Sequence, residues 1–287
     1  MNIVITGAGG QLGLDCRQIL ENHTLQPLTS KQLDITGEKE VRKVLLAAKP
    51  DVVINCAAYT AVDKCEKEQQ RCFAVNALGP GILAARCESL GCRLIHISTD
   101  YVFDGNKPVP EPYTENDPTS PLSHYGESKL AGENGIRERL ENHLIIRTAW
   151  LYGMGGGNFL KTILRLAVND TERILRVVND QYGSLTWSRR LARQIERLLD
   201  SDLKGTIHAT AEGYCTWFEG AKRFLEAMQV EFSLEPCTTA EYPTPAHRPT
   251  NSILENSRLK EEGLNVMLPW QEDMDRFARQ CRETGAQ

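Results

Sequence analysis

Tyr125 and Lys129 stand four residues apart in the stretch Tyr125-Gly126-Glu127-Ser128-Lys129. On a helix that spacing puts both side chains on one face. A phenol beside a fixed ammonium is an acid–base device, because the cation favours phenolate and draws the tyrosine pKa toward neutrality. A Tyr-x-x-x-Lys pair carries little weight alone. Its weight comes from what other segments bring to the same place.

The first such segment is Gly7-Ala8-Gly9-Gly10-Gln11-Leu12-Gly13, directly after the β-branched run Asn2-Ile3-Val4-Ile5-Thr6 and before a helical pattern reaching Leu20. Strand, glycine turn and helix in that order form a dinucleotide site. Gly7 permits the tight turn, Gly10 lets a pyrophosphate approach the backbone, and Gly13 lets the helix pack closely. The helix N-terminus then offers unpaired N–H groups, and Gln11 and Leu12 lie in its first turn. After the next strand, Thr24–Leu28, an NAD site would show an acidic residue for the ribose. Thr29-Ser30-Lys31 stands there instead. Ser30 and Lys31 suit a 2′-phosphate, which predicts NADPH with NADH as the alternative. Asp34 and Ile35 are candidates for the adenine edge. The small residues Cys56, Ala57 and Ala58, with Thr60, leave room for a flat ligand after the strand ending at Asn55. Thr99 closes another strand, where its hydroxyl could hold a carbonyl oxygen. With Tyr125 and Lys129 it forms a set for hydride transfer at a C–OH/C=O carbon. His96 reads as a satisfied core histidine, and Trp150 as a ring that stacks on substrate or packs in the wall.

The elements that must position these groups alternate strand and helix. Strands are expected near 2–6, 24–28, 50–55, 93–97 and 143–148, and helices near 11–20, 38–48, 66–90 and from Tyr125. This predicts a doubly wound parallel sheet, with a smaller mixed α/β substrate domain following it. Residues 1–153, joined by about 179–210, would form the dinucleotide domain; 154–178 and 211–287 would form the substrate domain. Five prolines between Pro108 and Pro121 predict a solvated loop. Later helices are expected over 158–167, 186–199 and 217–228, with strands over 173–178 and 206–210.

Composition sets outer bounds. The chain has 287 residues, 41% apolar and 25% charged, and a net charge of −5 with no basic block. That argues against nucleic-acid and membrane-surface roles. Nine cysteines, an odd number without Cys-x-x-Cys spacing, predict reduced, buried thiols and a cytoplasmic setting. Glycines interrupt the N-terminal apolar run, so no signal peptide is expected, and no run reaches the length of a membrane span.

Several motifs together are more specific. They are Thr6-Gly7-x-x-Gly10-Gln11-x-Gly13, Asn55-x-Ala57-Ala58-x-Thr60-Ala61-Val62-Asp63, Ser98-Thr99-Asp100-Tyr101-Val102-Phe103 and Tyr125-Gly126-Glu127-Ser128-Lys129. To these are added Arg147-Thr148-Ala149-Trp150, Asn179-Asp180-Gln181-x-Gly183 and Arg248-Pro249-x-Asn251-Ser252. Through them the chain resembles the extended short-chain dehydrogenase/reductases of the nucleotide-sugar branch. The resemblance implies NADPH- or NADH-dependent reduction of the 4-keto group of dTDP-4-dehydro-6-deoxy-L-mannose to dTDP-L-rhamnose, with Thr99, Tyr125 and Lys129 catalytic. It places Val62, Asp63, Tyr101 and Trp150 at the sugar, and Asn158 and Arg248 at the nucleotide diphosphate. The related 4,6-dehydratases carry Asp-Glu after the threonine. Tyr101 replaces that Glu here, which disfavours dehydration. Another 4-keto-sugar reductase or an epimerase is a neighbouring alternative. Some similar enzymes hold Mg²⁺ at a dimer interface with acids near Asp15 and after Thr186. Ser188-Arg189-Arg190 lacks the second acid, so no metal is expected, and monomer and homodimer both stay open. A non-catalytic relative, the NADP-binding regulatory subunit of methionine adenosyltransferase, supplies the alternative of another class.

Overall fold

The computed structural model describes residues 1–285. In chain order the elements of the first half are β1 (Asn2–Thr6), α1 (Gln11–Ile19), β2 (Thr24–Leu28), α2 (Glu38–Ala48), β3 (Val52–Asn55), α3 (Val62–Cys65), α4 (Gln69–Phe73), α5 (Gly79–Leu90), β4 (Arg93–Thr99), α6 (His124–Arg137) and β5 (His143–Thr148). Then come β6 (Leu151–Tyr152), α7 (Phe159–Asn169), β7 (Ile174–Val178), β8 (Tyr182–Gly183), β9 (Thr186–Trp187), α8 (Ser188–Leu199), β10 (Gly205–His208), β11 (Cys215–Thr216), α9 (Trp217–Met228), β12 (Ser233–Cys237), α10 (Ser257–Glu261) and α11 (Trp270–Thr284).

Six strands form one parallel sheet in the order β10-β5-β4-β3-β1-β2. The near-unbroken apolar runs of β1, β3 and β5 follow from this, because helices cover both faces of the sheet. On one face Leu12 and Cys16 of α1 and Leu191, Ile195 and Leu198 of α8 pack against Ile3, Ile5 and Ile54. On the other, Val41 and Leu45 of α2 and Leu83 and Cys87 of α5 pack against Val4, Val53 and Leu94. A separate core joins α7, α9 and α11 through Leu160, Leu164, Phe224, Leu225 and Phe277.

The expected helix over 66–90 is interrupted. Between α4 and α5 the backbone widens into a π turn, Ala74–Leu78. The cause is Asn76, whose buried amide accepts from Tyr59 N (2.8 Å) and donates to Tyr59 O (3.0 Å) and Ser128 Oγ (3.0 Å). Its carbonyl presses on α6 at Gly132, where a Cβ would lie 2.1 Å away. The expected helix from 186 begins at Ser188, because Thr186 and Trp187 pair with β6. The proline loop is also less solvated than expected. Tyr113 is buried and stacks on Phe103 at 4.5 Å, and Glu115 accepts from the backbone of His208 (3.0 Å). Glu115 and Asp117 are anchors because unpaired backbone N–H groups need acceptors. All nine cysteines are free, and all except Cys56 are buried.

Candidate active site

Chain chemistry at the first turn is dictated by close approach. Gly7 has φ +66°, and a Cβ on it would meet Ala57 N at 2.5 Å. A Cβ on Gly13 would lie 2.4 Å from Gly7 O. Gly10 N donates to Gly7 O (2.9 Å), and Gly10 caps α1 without a side-chain acceptor, so the first N–H groups of the helix stay open. Gly10, Gln11, Leu12 and Gly13 line a cleft of about 550 Å³. Open helix N–H groups beside a cleft with no side chain at Gly10 or Gly13 fit a pyrophosphate. Gly13→Ala should force α1 off the sheet and weaken dinucleotide binding by at least about tenfold, roughly 1.4 kcal/mol. Unchanged affinity in a fluorescence titration of NADPH would contradict the placement.

The same cleft is lined by Cys56, Ala58, Thr60, Val62, Thr99, Asp100, Tyr101, Tyr125, Lys129 and Trp150. Ala57 sits behind it, under Gly7, with its N–H donated to Asn55 Oδ1 (3.1 Å). Thr99 ends β4 opposite Thr148 of β5. Ser123 caps α6 by accepting from Gly126 N (3.2 Å), which starts the helix one residue before Tyr125. Gly126 lets α6 approach the Tyr101 carbonyl, 2.2 Å from where a Cβ would stand, and Tyr101 meets Tyr125 edge to face at 5.4 Å.

Thr99, Tyr125 and Lys129 thus converge, all at least nine-tenths buried. The electrostatics differ from the expectation in one respect. Burial pushes the Tyr125 phenol up, and the Thr99 hydroxyl is what draws it down. The leading influences on the phenol are burial, Thr99 and the neighbouring Asp100, Tyr101 and Cys65, and Lys129 is not among them. The Lys129 ammonium is turned to the Ile97 carbonyl (2.6 Å), and burial brings Lys129 itself down to about 8.

Sequence reading missed two residues here. Asp100 accepts from Thr99 Oγ1 (2.9 Å), its Oδ2 has no protein partner, and burial raises its carboxyl to about 6. The Asp in the Ser-Thr-Asp-Tyr motif was a signal that could have marked it. Trp217, at the head of α9, carried no local signal. Trp150 stacks on it face to face at 3.7 Å, so one face of the Trp150 ring is covered by protein. Trp150 takes φ +47°, a left-handed conformation that costs a non-glycine residue about 1–2 kcal/mol. Gly183 provides the room, since a Cβ there would lie 2.5 Å from the Trp150 ring. Asn179 and Gln181 of the same motif tie down α9: Asn179 Oδ1 accepts from Thr216 Oγ1 (2.6 Å), and Gln181 Oε1 accepts from Trp217 Nε1 (3.2 Å).

Other candidates stand apart. Asp63 pairs with Arg248 (2.9 Å) beside Tyr101, joining α3 to the C-terminal loop. Asn158 lines the cleft, but its side chain is occupied: Oδ1 caps α7 at Lys161 N, and Nδ2 donates to Gln11 Oε1 and Gly153 O, both at 2.9 Å. Ser30, Lys31, Asp34 and Ile35 follow β2, away from the catalytic residues. Ser30 and Lys31 are exposed. Asp34 Oδ1 accepts from Thr36 in its own turn, and the Ile35 side chain is buried against Gly79. Asp15 is buried and accepts from Ser188 Oγ at 2.5 Å. Among the described residues no group of three or more His, Cys, Asp or Glu is arranged to hold a metal. Among them, too, no helix is long and apolar enough to cross a membrane.

Residues 1–283 match the family described as the RmlD substrate binding domain. A dTDP-4-dehydrorhamnose reductase of Mycolicibacterium smegmatis is 42% identical over 94% of this chain and 83% of its own length. The crystal structure of a dTDP-4-dehydrorhamnose reductase of Clostridium acetobutylicum superposes with a TM-score of 0.95 at 41% identity, covering 98% of this chain and 100% of that one. That of the Bacillus anthracis dTDP-4-dehydrorhamnose reductase, in complex with NADP, superposes with a TM-score of 0.92 at 38% identity, covering 96% and 97%. With a glycine-turn cleft and a Thr-Tyr-Lys set already in place, this chain belongs to the dTDP-4-dehydrorhamnose reductase family.

Proposed function

We propose that the chain reduces the 4-keto group of dTDP-4-dehydro-6-deoxy-L-mannose, giving dTDP-L-rhamnose. The observation that carries this reading is the convergence of Thr99, Tyr125 and Lys129 on the cleft that the glycine turn opens into. A nicotinamide dinucleotide, when bound, supplies the hydride. Gly7, Gly10 and Gly13 with the head of α1 would hold its pyrophosphate, and Cys56, Ala58 and Thr60 would flank it. Tyr125 gives its proton to the ketone oxygen, and Thr99 donates a hydrogen bond to that oxygen. In this structure that hydrogen is given to Asp100 Oδ1, so substrate binding would turn the Thr99 hydroxyl from Asp100 to the ketone oxygen. Val62, Tyr101 and the Trp150–Trp217 stack form the apolar wall for the sugar, and the Asp63–Arg248 pair closes the side next to Tyr101. The division into residues 1–153 with 179–210, and 154–178 with 211–287, is supported by β10 in the main sheet and α8 on its face.

NADPH is the preferred cofactor on this reading, as the Bacillus anthracis relative was solved with NADP. Ser30 and Lys31 would hold the 2′-phosphate. Lys31→Ala should then raise the Kd for NADPH by about five- to tenfold, roughly 1 kcal/mol, the loss of one charge-assisted contact, and leave NADH unchanged. Equal effects on both would remove Lys31 from that role.

The deciding assay follows NADPH absorbance with the 4-keto sugar nucleotide made in situ. Oxidation that depends on this chain, with dTDP-L-rhamnose as product, is expected. Tight cofactor binding with no oxidation would instead favour a non-catalytic, cofactor-binding subunit.

A further inference from the structure

A line of polar side chains crosses the sheet directly under the cleft. Thr6, Asn55 and His96 are cross-strand partners on β1, β3 and β4. All three are buried, Asn55 and His96 completely. Thr6 Oγ1 donates to Asn55 Oδ1 (2.6 Å), and the Ala57 backbone N–H donates to the same oxygen (3.1 Å). A backbone N–H can only donate, so the oxygen end of the Asn55 amide is determined. Its nitrogen end therefore faces His96 Nδ1 at 2.9 Å and donates to it. A neutral imidazole that accepts at Nδ1 carries its proton on Nε2. His96 is neutral, since burial and then the charge of Lys129 hold it well below its ordinary range. Nε2 lies 3.4 Å from Lys129 Nζ, whose other partner is the Ile97 carbonyl.

We propose that His96 is a positioning residue for the reduction: its Nε2–H, aimed by Asn55, hydrogen-bonds Lys129 only when that side chain is the neutral amine, and so readies Lys129 to refill Tyr125 with a proton. An N–H opposite an ammonium is repelled; opposite an amine lone pair it is a donor with an acceptor. In the proton sequence the Tyr125 O–H bond breaks as the ketone oxygen is protonated. An N–H bond of Lys129 then breaks, its proton passing to the phenolate through water in the cleft that both residues line, and the amine regains a proton from the same water. No electrons move beyond the hydride of the reduction itself. The groups facing Lys129 are Glu133 on its own helix, His96 and the Ile97 carbonyl on β4, Cys72 on α4 and Cys56 after β3. Glu133 is engaged by Arg147 and Arg137. The position of Lys129 near 8 is where such a relay operates. The functional half of this inference rests on the reductase reading; the tautomer does not.

Histidine ¹⁵N NMR of the substrate-free protein reads the tautomer, with His96 assigned by its loss in His96→Asn. The Nε2–H form is expected; the Nδ1–H form overturns the proposal. Lysine ¹³Cε NMR then follows Lys129, assigned through Lys129→Arg. His96→Asn keeps a group opposite Asn55 but removes the donor toward Lys129. It should raise the Lys129 midpoint by about half a unit or more, a threefold change in its protonation equilibrium. It should also lower kcat severalfold with KM unchanged, and His96→Gln, which returns an amide at the Nε2 position, should recover both. An unmoved midpoint in folded His96→Asn overturns the proposal. If His96→Asn does not fold, the wild-type tautomer still decides. A chain with the Nε2–H tautomer and the shifted midpoint but no ketone reduction would overturn the reductase reading alone.

Discussion

Tyr125→Phe should lower kcat for reduction of the 4-keto sugar by about 10²–10⁴-fold, the range that a positioned general acid contributes. The substitution deletes one oxygen. Burial of the side chain, its edge contact with Tyr101 and the capping of α6 by Ser123 are retained. The Kd for NADPH should therefore change by less than about twofold, under 0.5 kcal/mol. Stopped-flow reduction and a separate cofactor titration distinguish the two effects. Tyr125 is buried and its phenol lies above the ordinary tyrosine range, so the neutral, proton-carrying form dominates at neutral pH. That is the form a ketone reduction needs. Full activity in the Phe variant would remove Tyr125 from the chemistry. A matching loss of cofactor affinity would make its role structural.

Glu133→Gln should cost about 3–5 kcal/mol of folding stability, the loss seen when one partner of a buried ion pair is removed. Glu133 is fully buried on α6, one turn beyond Lys129. Arg147 of β5 grips it with two hydrogen bonds, Nε to Oε1 (2.9 Å) and Nη2 to Oε2 (2.7 Å). Ser98 donates to Oε1 (2.6 Å) and Arg137 to Oε2 (2.7 Å). Neutralising the carboxylate leaves the Arg147 guanidinium buried without its counter-charge. Against a total stability of about 5–15 kcal/mol the loss is large, and it would show as a lower urea midpoint. The pH dependence has a definite sign. Burial alone would raise the Glu133 carboxyl, but the hydrogen bonds and charges of Arg147, with Ser98 and Arg137, bring it below its ordinary 4.5. A carboxylate depressed in the folded state stabilises fully above its unfolded value. That stabilisation is lost as pH falls through the folded value. The gap between wild type and Glu133→Gln should be constant at neutral pH and shrink below about pH 4.5. A gap that persists into acid would mean the charge of Glu133 is not what holds β5 to α6. Because Ser98 precedes Thr99, this network also fixes the strand end from which Thr99 reaches the cleft.

Local chemistry was legible in the chain wherever one segment sufficed. Gly7, Gly10 and Gly13 between a β-branched run and a helix announce a phosphate turn, because spacing within a single turn decides which backbone can approach a ligand. Tyr125 and Lys129 share a helix face for the same reason: four residues are one turn. The parallel sheet followed from strands that are apolar on both faces. What tertiary structure decided were contacts between distant segments. Trp217 reaches Trp150 because α9 is anchored through Asn179 and Gln181, and no local pattern marks a partner 67 positions away. Lys129 turns to the Ile97 carbonyl, since a buried ammonium takes the nearest strong acceptor. Asn76 breaks a helix that its own sequence favours, because its amide satisfies the Tyr59 backbone across a gap. Residue types and short spacings therefore determined the reaction class and the sheet. The burial that shifts each titratable group, and the partner each group faces, arose only when the strands came into register.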